Sequence, residues 1–157
     1  MAIYMKFGKF VGNVETEGYK DWIRVNSFQW GSGRSVHTAD GSGSNRQGSH
    51  ASVSEITITK ELDPSSLKLM RDSLDGKLNT TVEFKFTLAD KSNTCYLAYT
   101  LSHTGVSAYS ISSGGERPHE SISLNFAKVE MKNSTFDSAG KATPDLLSYD
   151  LTKHVAG

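Results

Sequence analysis

Hydrophobic and polar residues alternate along most of the chain. In "TVEFKFTL", residues 81–88, every second side chain is apolar, which is typical of a β-strand that buries one face and exposes the other. Seven further segments show the same alternation and are predicted to be strands: 3–10, 22–30, 53–59, 95–101, 106–111, 122–131 and 147–151. Together they predict a mainly β protein of about eight antiparallel strands.

One segment, "LDPSSLKLMRDSLDGK", has a helical period instead. Leu67, Met70 and Leu74 recur at the spacing that places three side chains on one face of a helix. Asp63 is suited to the N-cap and Pro64 to the first helical position, and the Gly-Lys pair at 76–77 ends the pattern. The segment predicts a helix of about three turns that packs against the sheets through its apolar stripe.

Residues 110–131, "SISSGGERPHESISLNFAKVEM", predict a β-hairpin. Alternation stops at two glycines, a charge pair and a proline, and then resumes for about ten residues. We expect Gly114 and Gly115 to supply the positive backbone angles of a tight reversal. Pro118 restricts the residues that precede it.

Residues 31–50, "GSGRSVHTADGSGSNRQGSH", differ in composition from the rest of the chain. Ten of these twenty residues are Gly or Ser and none is Phe, Tyr or Trp, so we expect the segment to bury too little apolar surface to fix itself on its own domain. Two interpretations remain open. The segment is either a flexible surface loop or an arm that a neighbouring copy orders through its unused backbone donors and acceptors.

Length and charge limit the possible classes of protein. A chain of 157 residues is the size of one globular domain, and we expect a single domain over 1–157 with the 31–50 segment inside it. Seventeen basic residues balance seventeen acidic ones, so no long-range field favours nucleic acid or an anionic membrane. With no apolar run typical of a signal peptide or a membrane span, we expect a cytoplasmic product without membrane insertion.

The sequence contains no recognisable catalytic or metal-binding pattern. Cys95 is the only cysteine, and none of the five histidines has a histidine or cysteine two to four residues further on. No Gly-x-Ser-x-Gly motif is present, and Glu116 and Glu120 are indistinguishable from surface charges as an acid and base pair. We therefore expect no catalysis, no metal and no cofactor.

Three aromatic residues, Trp22, Phe28 and Trp30, share one parity of a single predicted strand. Such a row is either a stacking platform for bases or sugars or part of the core. Little basic charge lies nearby, which favours the core.

Five segments in order, "MAIYMKFG", "GNVETEGYKDWIRVNSFQWG", "SVSEITITKELD", "SSGGERPHESISLNFAKVE" and "SYDL", resemble the haemolysin-coregulated protein (Hcp) family of bacterial type VI secretion systems. The resemblance spans nearly the whole chain. It implies a compact antiparallel β-barrel of two sheets with one flanking α-helix, similar to the tail-tube proteins of contractile phages. It also implies six-membered rings that stack into the inner tube of an injection machine.

The resemblance implies partners and a destination as well. Contraction of a sheath would drive the tube, with a tip protein and effectors, into a target, so the chain would leave the cell without a signal peptide. Its partners would be other copies of itself, the sheath, tip and baseplate proteins, and small effectors carried in the ring lumen. As a hypothesis, the 31–50 arm and the hairpin supply assembly contacts, with Arg117 and Glu120 as polar rim contacts that contribute little each if they are solvated. The candidate contacts are Arg34, Asp40, Arg46, Gly114, Gly115, Arg117 and Glu120.

Two rival classes are considered. One is a ring that is itself an enzyme through an extra C-terminal effector domain, for which a chain that ends at Gly157 leaves no room. The other is a monomeric ligand-binding β-barrel, which the size of the chain also allows.

Overall fold

The structure, a computed structural model, describes residues 1–38, 46–48 and 50–157. Its single helix within these ranges is α1, Ser66–Asp75. Its strands are β1 Ala2–Phe7, β2 Ile23–Val25, β3 Ser27–Gln29, β4 Ser32–Gly33, β5 Val36–Thr38, β6 Arg46–Gly48, β7 Ser52–Val53, β8 Ile56–Glu61, β9 Thr80–Thr87, β10 Cys95–Ser112, β11 His119–Asn125, β12 Lys128–Phe136, β13 Ala142–Asp150 and β14 Val155–Ala156.

Two antiparallel sheets share the long strand β10. Sheet A has the order β2-β1-β9-β10-β12-β13-β14, and sheet B has the order β10-β11-β8-β3. The first part of β10 pairs with β9 and β12, and residues 105–112 pair with β11. His103 has a φ of 51° and lies where the register with β9 shifts, as at a β-bulge. The two strands predicted over 95–101 and 106–111 are therefore one strand that passes from one sheet to the other.

The aromatic strand predicted over 22–30 is divided between the two sheets. Ile23 and Val25 are buried in β2, whereas Phe28 of β3 packs against the core with the opposite parity. The change occurs at Asn26, whose backbone N–H donates to a carbonyl of β8 over 2.7 Å. Trp30 also packs against the core, but Trp22 lies outside the core cluster, so the prediction of a core row is correct for two of the three aromatic residues.

One hydrophobic cluster fills the space between the sheets. Sheet A contributes Phe7, Phe84 and Leu101, and sheet B contributes Ile58 and Leu124, all of them completely buried. Alternation along each strand places these side chains on one face, as the sequence predicts. A mainly β fold of two antiparallel sheets with one flanking helix is therefore confirmed.

The helix lies in the predicted segment, but the prediction of its inward face is wrong. Leu67 and Leu74 are 76% and 77% exposed, and Met70 is 42% exposed. Buried instead are Ser66 and Leu69. Polar bonds at both ends of α1, described below, fix the rotation of the helix, so its apolar stripe points to the outside. The helix also begins two residues after Pro64.

The described part of the 31–50 segment is a two-stranded ribbon rather than an irregular loop. β4 pairs with β7, and β5 pairs with β6, in antiparallel register. These strands use part of the backbone donors and acceptors of the segment, and its ordering by a neighbouring copy remains a prediction. Among the described residues, no helix combines the length and the apolar content required to cross a membrane.

Candidate assembly surfaces

The predicted hairpin forms between β10 and β11. Gly115 has a φ of 104°, whereas Gly114 is not in a positive-φ conformation, so the reversal requires one such glycine and not two. The hydroxyl of Ser113 accepts the N–H of Gly115 over 3.2 Å and donates to the carbonyl of Glu116 over 2.7 Å. The turn is thus closed by its own side chain, and its glycines face open space.

Replacing Gly115 with valine is expected to lower the free energy of unfolding by about 1–3 kcal/mol, because a β-branched residue strains at positive φ. Gly114→Val is the matched control: its site is equally open and needs no positive φ. Urea unfolding of both variants measures the difference. Equal losses in the two variants would contradict this description of the turn.

Arg117 fastens the base of the hairpin to the segment that leads into α1. Its Nε and Nη2 atoms donate to the carbonyl of Leu62 over 3.1 and 2.6 Å. The N–H of Leu62 in turn donates to the carbonyl of Pro118 over 3.1 Å. The side chain of Arg117 nevertheless stays 59% exposed. Its use in assembly remains a prediction.

Glu120 is buried within the subunit, so the prediction that it is a polar rim contact is wrong. Its side chain is buried, and its Oε1 atom lies 2.5 Å from Nζ of Lys60. The hydroxyl of Ser66 donates to the same oxygen over 2.7 Å, and the hydroxyl of Tyr109 donates to Oε2. The carboxylate therefore joins β8, β10, β11 and the start of α1.

The buried ammonium group of Lys60 is fully supplied with acceptors. Besides Glu120, it bonds to the carbonyl of Glu61 over 3.0 Å and to the hydroxyl of Ser66 over 3.1 Å. Oδ1 of Asp63 lies 3.1 Å away. We call Lys60, Asp63, Ser66, Tyr109 and Glu120 the buried polar cluster. Two charges removed from water are tolerated only with this degree of pairing.

The sequence does indicate this cluster, through the positions of Lys60 and Glu120 along their strands, although charged residues are usually assigned to the surface. Along β11, Glu120 shares the parity of Ile122 and Leu124, and along β8, Lys60 shares the parity of Ile56 and Ile58. Register pairs Glu120 directly with Lys60. Opposite charges at core-facing positions of two strands therefore indicate a buried pair.

Burial, together with the neighbouring carboxylate of Glu120, raises the pKa of Tyr109 above its ordinary value of about 10. The pKa of Tyr109 is higher in the folded state than in the unfolded state. The stabilisation that the protonated hydroxyl contributes is therefore fully present below pH 10, and it is lost as the pH rises through the folded-state pKa. Tyr109→Phe removes the hydroxyl that donates to Glu120, and we expect it to lower the free energy of unfolding by about 1.5–3 kcal/mol at pH 8. The difference in free energy of unfolding between the wild type and Tyr109→Phe, measured with urea, should become smaller above pH 10. A difference that stays constant with pH would contradict the hydrogen bond from Tyr109 to Glu120.

The remaining candidate contacts lie in the ribbon. Arg34 is exposed between β4 and β5, and Arg46 belongs to β6. Asp40 lies outside the described residues. The six candidates that the structure describes thus occupy two elements, the ribbon and the hairpin, and whether they touch another subunit remains a prediction.

The outer face of sheet A carries an open groove of about 460 Å³, lined among others by Lys85, Ala98, Lys132, Leu146 and Gly157. Lys85 pairs with Ala98, Ala98 with Lys132, and Lys132 with Leu146 across four strands. Within the described ranges, no group of three or more His, Cys, Asp or Glu side chains is placed to hold a metal ion. The candidate functional features of the described residues are therefore surfaces: the ribbon, the hairpin turn and the groove on sheet A.

Comparisons with known proteins give the class of protein. A solved type six secretion system protein superposes with a TM-score of 0.89 at 26% identity, over 99% of each chain. Hcp1 from Salmonella typhimurium superposes with a TM-score of 0.76 at 19% identity, over 99% of this chain and 98% of the other. A chain of the six-fold symmetrised anti-feeding prophage baseplate gives 0.53 at 11% identity, over 83% and 90%. The chain therefore shares the fold of a type six secretion system protein and of Hcp1.

The family model described as type VI secretion system effector, Hcp, matches residues 4–132. The chain belongs to the Hcp family of type VI secretion systems, as the sequence resemblance indicates. This is a secreted family of structural tube components and not a known enzyme family. The search of curated proteins finds none that matches this chain.

Proposed function

We propose that this chain is the repeating subunit of an inner tube. Six copies form a ring, rings stack into the tube, and contraction of a surrounding sheath exports the tube without a signal peptide. The observation that supports this most strongly is the family match over residues 4–132, combined with a fold that superposes on a type six secretion system protein over 99% of both chains.

The proposed partners follow from that role. Other copies of the chain form the wall, and the sheath, tip and baseplate proteins surround or end it. Small effectors travel in the lumen, where the ring acts as carrier and chaperone. The balanced charge of the chain supports dense packing of identical copies, because no net repulsion separates them.

Two elements are available for contacts between subunits. The described residues of the ribbon, β4 to β7, and of the hairpin turn at 113–118 contribute no fully buried side chain to the core cluster, and Val53 of β7 is partly buried against it. The ribbon is proposed to touch a neighbouring subunit or ring, and the hairpin turn to supply polar rim contacts through Arg117.

Secretion that depends on the sheath tests the function directly. The chain is produced in a bacterium with an active type VI machine and in a matched strain that lacks the sheath protein, and both media are probed for the chain and for a cytoplasmic lysis marker. We expect the chain in the first medium only, without the marker. Equal amounts in both media would contradict a role in the exported tube.

A further inference from the structure

Two histidines that lie far apart in the sequence come together where the ribbon meets the C-terminal strands. The ring centroids of His50 and His154 are 5.2 Å apart, and the ring planes are tilted by 38°. Both side chains are exposed, so an ion in solution can reach both rings. A search for ligand pairs at short sequence spacing does not find this pair, because the fold alone brings the two residues together.

Hydrogen bonds on neighbouring residues hold the backbone on the His50 side. Ala51 follows His50, and its carbonyl accepts the hydroxyl of Tyr149 over 3.3 Å. Tyr149 belongs to β13, where it pairs with Ala156 of β14. This bond therefore ties the end of the ribbon to the same pair of strands that carries His154.

The backbone on the His154 side is held by the tight turn between β13 and β14. Oδ1 of Asp150 accepts the backbone N–H groups of Thr152 and Lys153 over 2.9 and 3.2 Å. Asp150 also pairs with Val155, the residue after His154. His154 itself has a φ of 52°, a conformation that histidine adopts more readily than most residues. The approach of the two rings thus follows from the backbone on both sides.

The separation of the rings agrees with that of two imidazoles bound to one Zn²⁺ ion. A Zn–N bond is about 2.0–2.1 Å long, and the angle between two such bonds at a tetrahedral ion is about 109°. Because each ring centroid lies about 1.1 Å beyond the bonded nitrogen, the two centroids are expected about 5 Å apart. The observed distance is 5.2 Å, so the backbone need not move for both rings to bind one ion.

The chemistry of the two side chains selects the class of metal. Imidazole nitrogen suits zinc, copper and nickel, whereas magnesium and calcium prefer oxygen ligands. Two protein ligands are fewer than the four of a closed structural zinc site, so water would complete the coordination.

We propose that His50 and His154 together bind one Zn²⁺ ion in each subunit, and that the ion fastens the end of the ribbon to the turn between β13 and β14. The site lies within a single subunit. It therefore goes beyond the proposed function and does not depend on ring formation.

The first test is calorimetric titration of the chain, produced without a histidine tag, with zinc chloride. His50→Gln and His154→Asn each remove one imidazole, and asparagine is chosen at 154 because it tolerates positive φ. His119→Gln is the control, since His119 is exposed on β11. We expect one zinc ion per subunit in the wild type and the control. Binding there should be about 100-fold tighter than in either single variant, because the fold holds both ligands together.

The second test counts the nitrogen donors on bound Cu²⁺ by electron paramagnetic resonance. Two imidazole nitrogens are expected in the wild type and in His119→Gln, and one in His50→Gln and in His154→Asn. Circular dichroism shows that each variant is folded. Equal zinc affinity in all four proteins, loss of affinity in only one of the two pair variants, or a single nitrogen donor in the wild type would overturn the proposal and leave a contact between rings only.

Discussion

Replacing Lys60 with methionine is expected to lower the free energy of unfolding by about 3–5 kcal/mol. The substitution leaves the carboxylate of Glu120 buried without its cation, close to the carboxylate of Asp63. The double variant with Glu120→Leu removes both charges of this ion pair and should recover part of the loss. The recovery is incomplete, because Asp63 still lacks its cation and the hydroxyl of Tyr109 lacks its acceptor. Urea unfolding gives both values.

The surface pair Lys128 and Glu130 provides the control. Their charged atoms lie 3.0 Å apart, yet both side chains are about half exposed. Lys128→Met should therefore lower the free energy of unfolding by less than about 1 kcal/mol. A loss as large as that of Lys60→Met, or a double variant as unstable as the single one, would contradict the role of the buried polar cluster.

Replacing Asp72 with alanine should lower the free energy of unfolding by about 1–3 kcal/mol. The change leaves the buried N–H of Val106 without its acceptor, and it releases the end of α1 that carries Leu74. Asp72→Asn is the control, because its amide oxygen still accepts this bond. Urea unfolding of both variants measures the loss. Equal losses in both variants would contradict the positioning of α1 by this bond.

Alternation predicts most of the fold because burial between two sheets acts on every second residue of a strand. Thus β9 and the hairpin between β10 and β11 are found close to their predicted positions. Continuity of β10 is not predictable in this way, because the bulge at His103 interrupts the alternation. The division of residues 22–30 has the same origin, since parity changes at Asn26 where the chain moves between sheets.

The sequence pattern predicts the candidate surfaces and the buried polar cluster less well than it predicts the strands. Periodicity identifies the apolar stripe of Leu67, Met70 and Leu74, but a stripe that faces the core and one that faces another subunit have the same spacing. The charge of Glu120 suggests solvent, although its position on β11 places it in the core. Register and packing supply what the pattern lacks: Ser66 and Leu69 are the buried side of α1, and Lys60 is the buried cation beside Glu120.

Electron microscopy of the purified chain over a range of concentrations tests most directly whether identical copies assemble head to tail around a hollow axis. The account predicts annular particles that stack into tubes as the concentration rises. Particles that remain single subunits at every concentration would contradict it.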